Sequence, residues 1–179
     1  MWPIATCATW GRPVSVAMIL QFLVFGCANA VAESDQSLAP NFVPTPSLTP
    51  QDVVRIQLGA LADNDRPYAD AGIELTFRFA SPKNKRMTGP LQRFIHIVRN
   101  PVYAPMIDHL RAEFGATDII GARALVSVVL TASDLSQAAY VFSLSQQQGG
   151  EYDRCWMTDS VTRFRVPNLP DKSTDGIEI

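Results

Sequence analysis

The sequence predicts an α+β fold in which N-terminal helices pack on an antiparallel sheet of about four strands. Two observations carry that expectation. Over residues 122–166 three segments follow one another in which apolar side chains recur at alternate positions, separated by Ser133-Asp134-Leu135 and by Gln147-Gln148-Gly149-Gly150. Successive side chains of a strand point to opposite faces, so this alternation builds a sheet with one buried and one half-wet side. Upstream, the apolar residues recur instead at helical spacing, in stripes that need a sheet to cover them.

The first 32 residues are expected to leave before the domain is mature. Arg12 is the only charge ahead of Glu33, and residues 14–25 are apolar apart from Ser15 and Gln21. Ala30-Val31-Ala32 then supplies the small-x-small pattern of a signal-peptidase site. The apolar run is too short for a membrane span. Cleavage after Ala32 makes this an exported protein of the periplasm, thylakoid lumen or extracellular space. A lipid anchor on Cys27 is the competing reading, and the bulky Phe25 just before Gly26 fits it poorly. Residues 33–48, with Pro40, Pro44 and Pro46 among small polar residues, read as a tether.

The folded domain is expected over residues 49–166. Thr49, Pro50 and Asp52 make a helix start: a hydroxyl that can cap, a proline at the first position and an acid in the first turn. Val54, Leu58 and Leu61, with Val53 and Ala60 beside them, form its apolar stripe, and Asp63-Asn64-Asp65-Arg66-Pro67 ends it. Over residues 72–80, Ile73, Leu75, Phe77 and Phe79 alternate with Glu74, Thr76 and Arg78, which by periodicity alone describes a strand. Residues 81–85 break that element, and Gly89-Pro90 opens the next. Residues 91–99 form an amphipathic helix with Leu91, Phe94, Ile95 and Val98 on one face. Opposite them, Gln92, Arg93, His96 and Arg99 make a solvated face or, on the sharper account, an anion-binding strip. Asn100-Pro101 ends that helix. The first strand is expected over 109–114. The next is 122–131, with Ala124, Val126, Val128 and Leu130 inward, then 137–145, with Ala138, Tyr140, Phe142 and Leu144 inward. The last, 155–166, carries Trp156, Val161 and Phe164, and residues 167–179 are a polar tail expected to fray.

The formal net charge is −2, and more negative still without Arg12. That balance argues against a nucleic-acid partner and against a polybasic membrane patch. Of three cysteines only Cys155 outlasts the signal, so no internal disulfide is expected. Its plain account is a small buried residue beside Trp156, because no neighbouring base is at hand to make a thiolate. The two histidines and this cysteine lie too far apart in sequence to show metal-ligand spacing. There is no Gly-rich phosphate loop and no Gly-x-Ser-x-Gly elbow. No cofactor, metal or catalytic residue is therefore assigned.

The order of elements resembles the cystatin-like, nuclear-transport-factor-like α+β cone, in which a curled sheet wraps helices and leaves a pocket. The stretches LTPQDVVRIQLGALADND (48–65), DAGIELTFRFASP (70–82), TGPLQRFIHIVRNPVYAPM (88–106) and CWMTDSV (155–161) are similar to a family of uncharacterised exported or plastid-targeted proteins of bacteria and photosynthetic organisms. The resemblance spans residues 49–166. That family has no assigned activity, so the resemblance implies a fold and no catalytic residues. It also implies a short helix at residues 72–80, and helix is expected there against the periodicity.

On such a cone the polar and aromatic residues Tyr103, His109, Tyr140, Trp156 and Asp159 would line the open end of the pocket. A bulge in the last strand would turn Asp159 to the other face. The expected function is a non-enzymatic binding or assembly module that takes a small apolar or mixed ligand. The alternative is a small pocket enzyme doing proton transfer or hydrolysis through His109 and a carboxylate, Asp159 or Asp108. The plainer accounts are a hydrogen-bonded imidazole at His109 and a core plug at Trp156. Leu125 and Val129, with Ala139 and Val141 on the next strand, put four apolar side chains on the outer sheet face, a patch that a homodimer would cover.

Overall fold

The computed structural model describes residues 42–164. The export signal, most of the tether and the C-terminal tail expected from the sequence lie outside them. Helices α1 (Pro50–Ala62), α2 (Ala71–Arg78), α3 (Pro82–Thr88) and α4 (Leu91–Val98) come first, then a 3-10 turn (Ala104–Met106). Strands β1 (Arg111–Ile120), β2 (Arg123–Thr131), β3 (Gln137–Gln146) and β4 (Trp156–Phe164) follow and pair in chain order as one antiparallel sheet. This is the expected α+β fold, with the helices packed on a curled open sheet.

Helix α1 starts on a reciprocal cap. The Thr49 hydroxyl accepts from the Asp52 amide at 3.2 Å, and the Asp52 carboxylate accepts from the Thr49 amide at 3.0 Å. The Thr49 hydroxyl also donates to that carboxylate at 2.6 Å, and this bond, with the one from the Thr49 amide, holds the Asp52 carboxyl below its usual range. Its stripe of Val53, Val54, Leu58 and Leu61 is buried in one cluster with Val126, Val128 and Leu130 of β2 and Tyr140, Phe142 and Leu144 of β3. The inward positions assigned to both strands are thus the buried ones.

Residues 72–78 are helical, with Phe79 in the turn that follows and Ala80 bridged to Thr158, and the reason the alternation suggests a strand is burial on more than one side. Ile73, Leu75, Thr76 and Phe79 are all buried, and the Phe77 ring packs on Phe94 of α4 with centroids 4.9 Å apart. A helix enclosed this way loses the polar stripe that marks its period. Its start is organised by the buried Asn64, whose Oδ1 accepts from the Ile73 amide at 3.1 Å and whose carbonyl accepts from the Gly72 amide at 2.9 Å. A Cβ on Gly72 would run into the carbonyl oxygen of Ala60, so glycine sets how closely α1 and α2 approach.

Two expected boundaries need correction. Residues 81–85 begin α3 as well as ending α2. The Ser81 hydroxyl accepts from the Asn84 amide at 3.1 Å, and Pro82 opens the helix, as Thr49 and Pro50 do for α1. Lys83, Lys85 and Arg86 leave α3 without an apolar stripe, so its period is invisible. Strand β1 starts at Arg111 and runs to Ile120 where 109–114 was expected. A register shift between Phe114 and Thr117 breaks the alternation, and this edge strand is largely exposed. The anion strip on α4 is also depleted, because the Arg99 guanidinium donates to Asp70 at 2.6 Å.

Candidate functional site

A glutamine stands in the middle of the apolar stripe of α1. Gln57 is 1% exposed, so its amide must find partners inside the protein. Its Nε2 donates to the Thr76 carbonyl at 3.1 Å. That carbonyl lies in the last turn of α2, where the Ala80 amide donates to Phe77 instead, and helix ends leave such carbonyls open. The Gln57 Oε1 accepts from the Thr158 hydroxyl at 2.8 Å.

Thr158 is tied down on its backbone too. Its amide donates to the Phe79 carbonyl at 3.0 Å, and its carbonyl accepts from the Ser81 amide at 2.8 Å, a short parallel bridge that fastens the α2–α3 junction to β4. The Asn84 Nδ2 donates to the same carbonyl at 3.1 Å, and the Thr88 hydroxyl donates to the Asn84 carbonyl at 2.9 Å. Gln57, Thr76, Thr158, Asn84 and Thr88 therefore form a polar belt whose bonds close on one another.

Against this belt lies a cavity of about 180 Å³. Leu61, Ala80, Phe94, Val98, Met106 and Phe142 supply its buried apolar walls. Tyr103, Asp159, Ser160 and the largely exposed Met87 stand toward solvent at its rim. An apolar cavity of about 150 Å³ holds a benzene molecule, so the space suits a body of that size or slightly larger.

The bulge in β4 decides where Asp159 goes. Ser160 pairs with Ser143 and Thr158 with Leu144, which leaves Asp159 as the extra residue and in the cavity lining. Its carboxylate has no hydrogen-bond or ion-pair partner among the described residues. Tyr103 reaches the rim from the segment before the 3-10 turn, and its hydroxyl donates to the Val161 carbonyl at 3.1 Å.

The other sequence candidates stand elsewhere. Tyr140 is buried with its hydroxyl donating to the Val102 carbonyl at 2.8 Å, and burial pushes its phenol up to about 12. His109 is buried with Nδ1 at 2.8 Å from the Met106 carbonyl, and since a carbonyl only accepts, that nitrogen carries the proton. Trp156 is part of the core at the start of β4. None of these three lines the cavity. The Asp108 carboxylate accepts from the Asn64 amide at 3.4 Å, back toward α1. Cys155 is buried, which pushes its thiol up and away from thiolate chemistry.

The structure thus brings Tyr103 and Asp159 together at one rim and keeps His109 apart from them. No histidine, cysteine, lysine or arginine occurs among the described lining residues. What remains is shape, aromatic wall and one carboxylate. Sequence reasoning missed the belt. Its one legible sign is Gln57 within an apolar stripe, since Thr76, Asn84 and Thr158 look like ordinary surface residues until the fold places them.

A family model described as a domain of unknown function (DUF4864) matches residues 46–169. No curated protein and no solved structure matches the chain.

Proposed function

The chain belongs to the DUF4864 family, a domain of unknown function, and we propose that it is a non-enzymatic binding module whose cavity takes a small, largely apolar ligand. One observation carries the reading. The buried polar groups of the belt are satisfied by one another, while the apolar walls border a volume about the size of a small aromatic molecule. A fold that only needed a core would close such a gap, because each lost packing contact costs stability. The alternative of hydrolysis through His109 and Asp159 lacks the pairing it needs, because Asp159 lines the cavity and His109 does not.

Titrating the full chain with benzyl alcohol, followed by NMR at the side-chain methyls of Ala80, Met87, Val98 and Met106, tests this. The expected result is a saturable shift confined to these groups and lost in Ala80→Leu, whose larger side chain occupies the space. An absence of saturable shifts in a folded wild-type protein overturns it.

The same proposal includes an exported location, with residues 1–32 removed and 33–48 as a tether, and a cone of the cystatin-like superfamily. Terminal sequencing of the native protein checks export: a chain starting at or near Glu33 supports it and a retained Met1 refutes it. No helix among the described residues is long and apolar enough to cross a membrane.

The proposal further pairs two copies through the outer sheet face. There Val129, Ala139 and Phe164 lie side by side on three strands, with Val141 and the exposed Leu125 in neighbouring rows. Charged side chains keep to the edge strand and the strand ends, at Arg111, Glu113, Asp118 and Arg123. Four strands about 4.8 Å apart and roughly nine residues long present about 500 Å² in projection. That approaches the patch of about 800 Å² per partner that a standard interface buries.

A further inference from the structure

Resting on the pocket reading above, we infer that the ligand is a small primary amine on an apolar body, with its ammonium held at the rim by Asp159. Three features of the rim point the same way. The Asp159 carboxylate carries the only formal charge among the described lining residues and has no partner among the described residues. A carboxylate at the edge of an apolar cavity gains most from a charged donor, since a charge-assisted bond is stronger than a neutral one and strengthens as water is excluded.

Two neighbouring hydroxyls offer lone pairs and have their protons engaged, and the exposed Ser160 hydroxyl can turn its lone pairs to a donor. Tyr103 donates its proton to the Val161 carbonyl, and Thr88 donates its own to Asn84. An ammonium has three protons to give and nothing to accept, so it fits a rim where the carboxylate and the engaged hydroxyls offer acceptors. The Tyr103 and Phe94 rings in the lining add aromatic faces that attract a cation.

Two cations on the adjoining elements α3 and β4 are employed elsewhere. The Lys85 ammonium donates to the Arg78 carbonyl at 3.0 Å and lies over the Phe77 and Tyr152 rings at 5.8 and 5.2 Å. Arg163 donates to the Pro101 carbonyl at 3.3 Å. Neither lines the cavity. The charge on Asp159 excludes carboxylate ligands of equal size, since like charges that share a poorly solvated site repel.

An isosteric set separates this inference from the pocket reading beneath it: benzylamine, benzyl alcohol and benzoate, titrated at pH 7 and low ionic strength into full-chain wild type and Asp159→Asn. Benzylamine is expected to bind about five- to tenfold more tightly than benzyl alcohol, and benzoate not measurably. In Asp159→Asn the amine preference over benzyl alcohol should vanish, with a far-UV circular dichroism spectrum and urea midpoint like wild type showing that the variant is folded. Equal wild-type affinities for amine and alcohol, or a preference that survives in Asp159→Asn, overturn the amine assignment and leave the pocket standing. If none of the three binds, both readings fall.

Discussion

Replacing Gln57 by leucine removes the centre of the polar belt without opening a hole. The substitution keeps roughly the same volume but strips the donor from the Thr76 carbonyl, bonded at 3.1 Å, and the acceptor from the Thr158 hydroxyl, bonded at 2.8 Å. Leaving a buried polar group unsatisfied costs about 1–3 kcal/mol each. The gain from burying a leucine in place of an amide offsets roughly 1–2 kcal/mol of a total of about 4 kcal/mol for the two groups. The expected net loss is about 2–3 kcal/mol, a large part of the stability of a domain this size. Urea denaturation followed by far-UV circular dichroism reads it as a lower midpoint at constant slope. Thr158→Val in the Gln57→Leu background removes one of the two orphaned groups, so the double variant should recover about 1 kcal/mol relative to additivity. A neutral Gln57→Leu, with additive Thr158→Val, would refute the claim that these bonds hold the cavity floor.

Three further outcomes follow from single positions. Gly72→Ala should destabilise by at least about 2 kcal/mol in the same denaturation assay, because the new methyl meets the Ala60 carbonyl rather than a movable side chain; a near-neutral result would mean that α1 and α2 separate freely. Tyr140, raised from 10.0 to about 12 in the folded protein, contributes stability fully present below pH 10 and lost as pH rises from 10 through about 12. Wild type should therefore lose more stability over that window than Tyr140→Phe, measured by urea midpoints against pH, and parallel curves would contradict the burial argument. Full-chain protein should sediment as a dimer at micromolar concentration and Val129→Lys as a monomer; a monomeric wild type removes the outer-face dimer.

What could be read from the sequence follows physical lines. Strands β2 and β3 are legible because one face is buried and the other is not, so period two survives intact in Ala124–Leu130 and again in Ala138–Leu144. Helix α1 is legible through Thr49, Pro50 and its stripe. Helix α2 is misread by period alone, since Ile73, Leu75 and Phe79 are all buried against different neighbours. Helix α3 has its cap in Ser81-Pro82 but no stripe, and β1 loses its phase at Gly115 and Ala116. The site divides in the same way. Tyr103, just ahead of the 3-10 turn, and Asp159, at the bulge within β4, stand at the rim, while His109 and Tyr140 turn their polar atoms to backbone carbonyls of their own surroundings. The direction of a side chain in a curled sheet depends on bulges, and the one at Asp159 has no local sequence mark.

A binding function at this cavity requires an apolar-walled space that a small molecule can enter. Crystals of the protein held under xenon test it most directly, because xenon occupies dry apolar cavities without needing a specific contact. The prediction is a xenon atom in contact with Phe94, Val98, Met106 and Phe142 in wild type, and none there in Ala80→Leu. A wild-type structure in which that space stays free of xenon, collapsed or filled with ordered water, would contradict it.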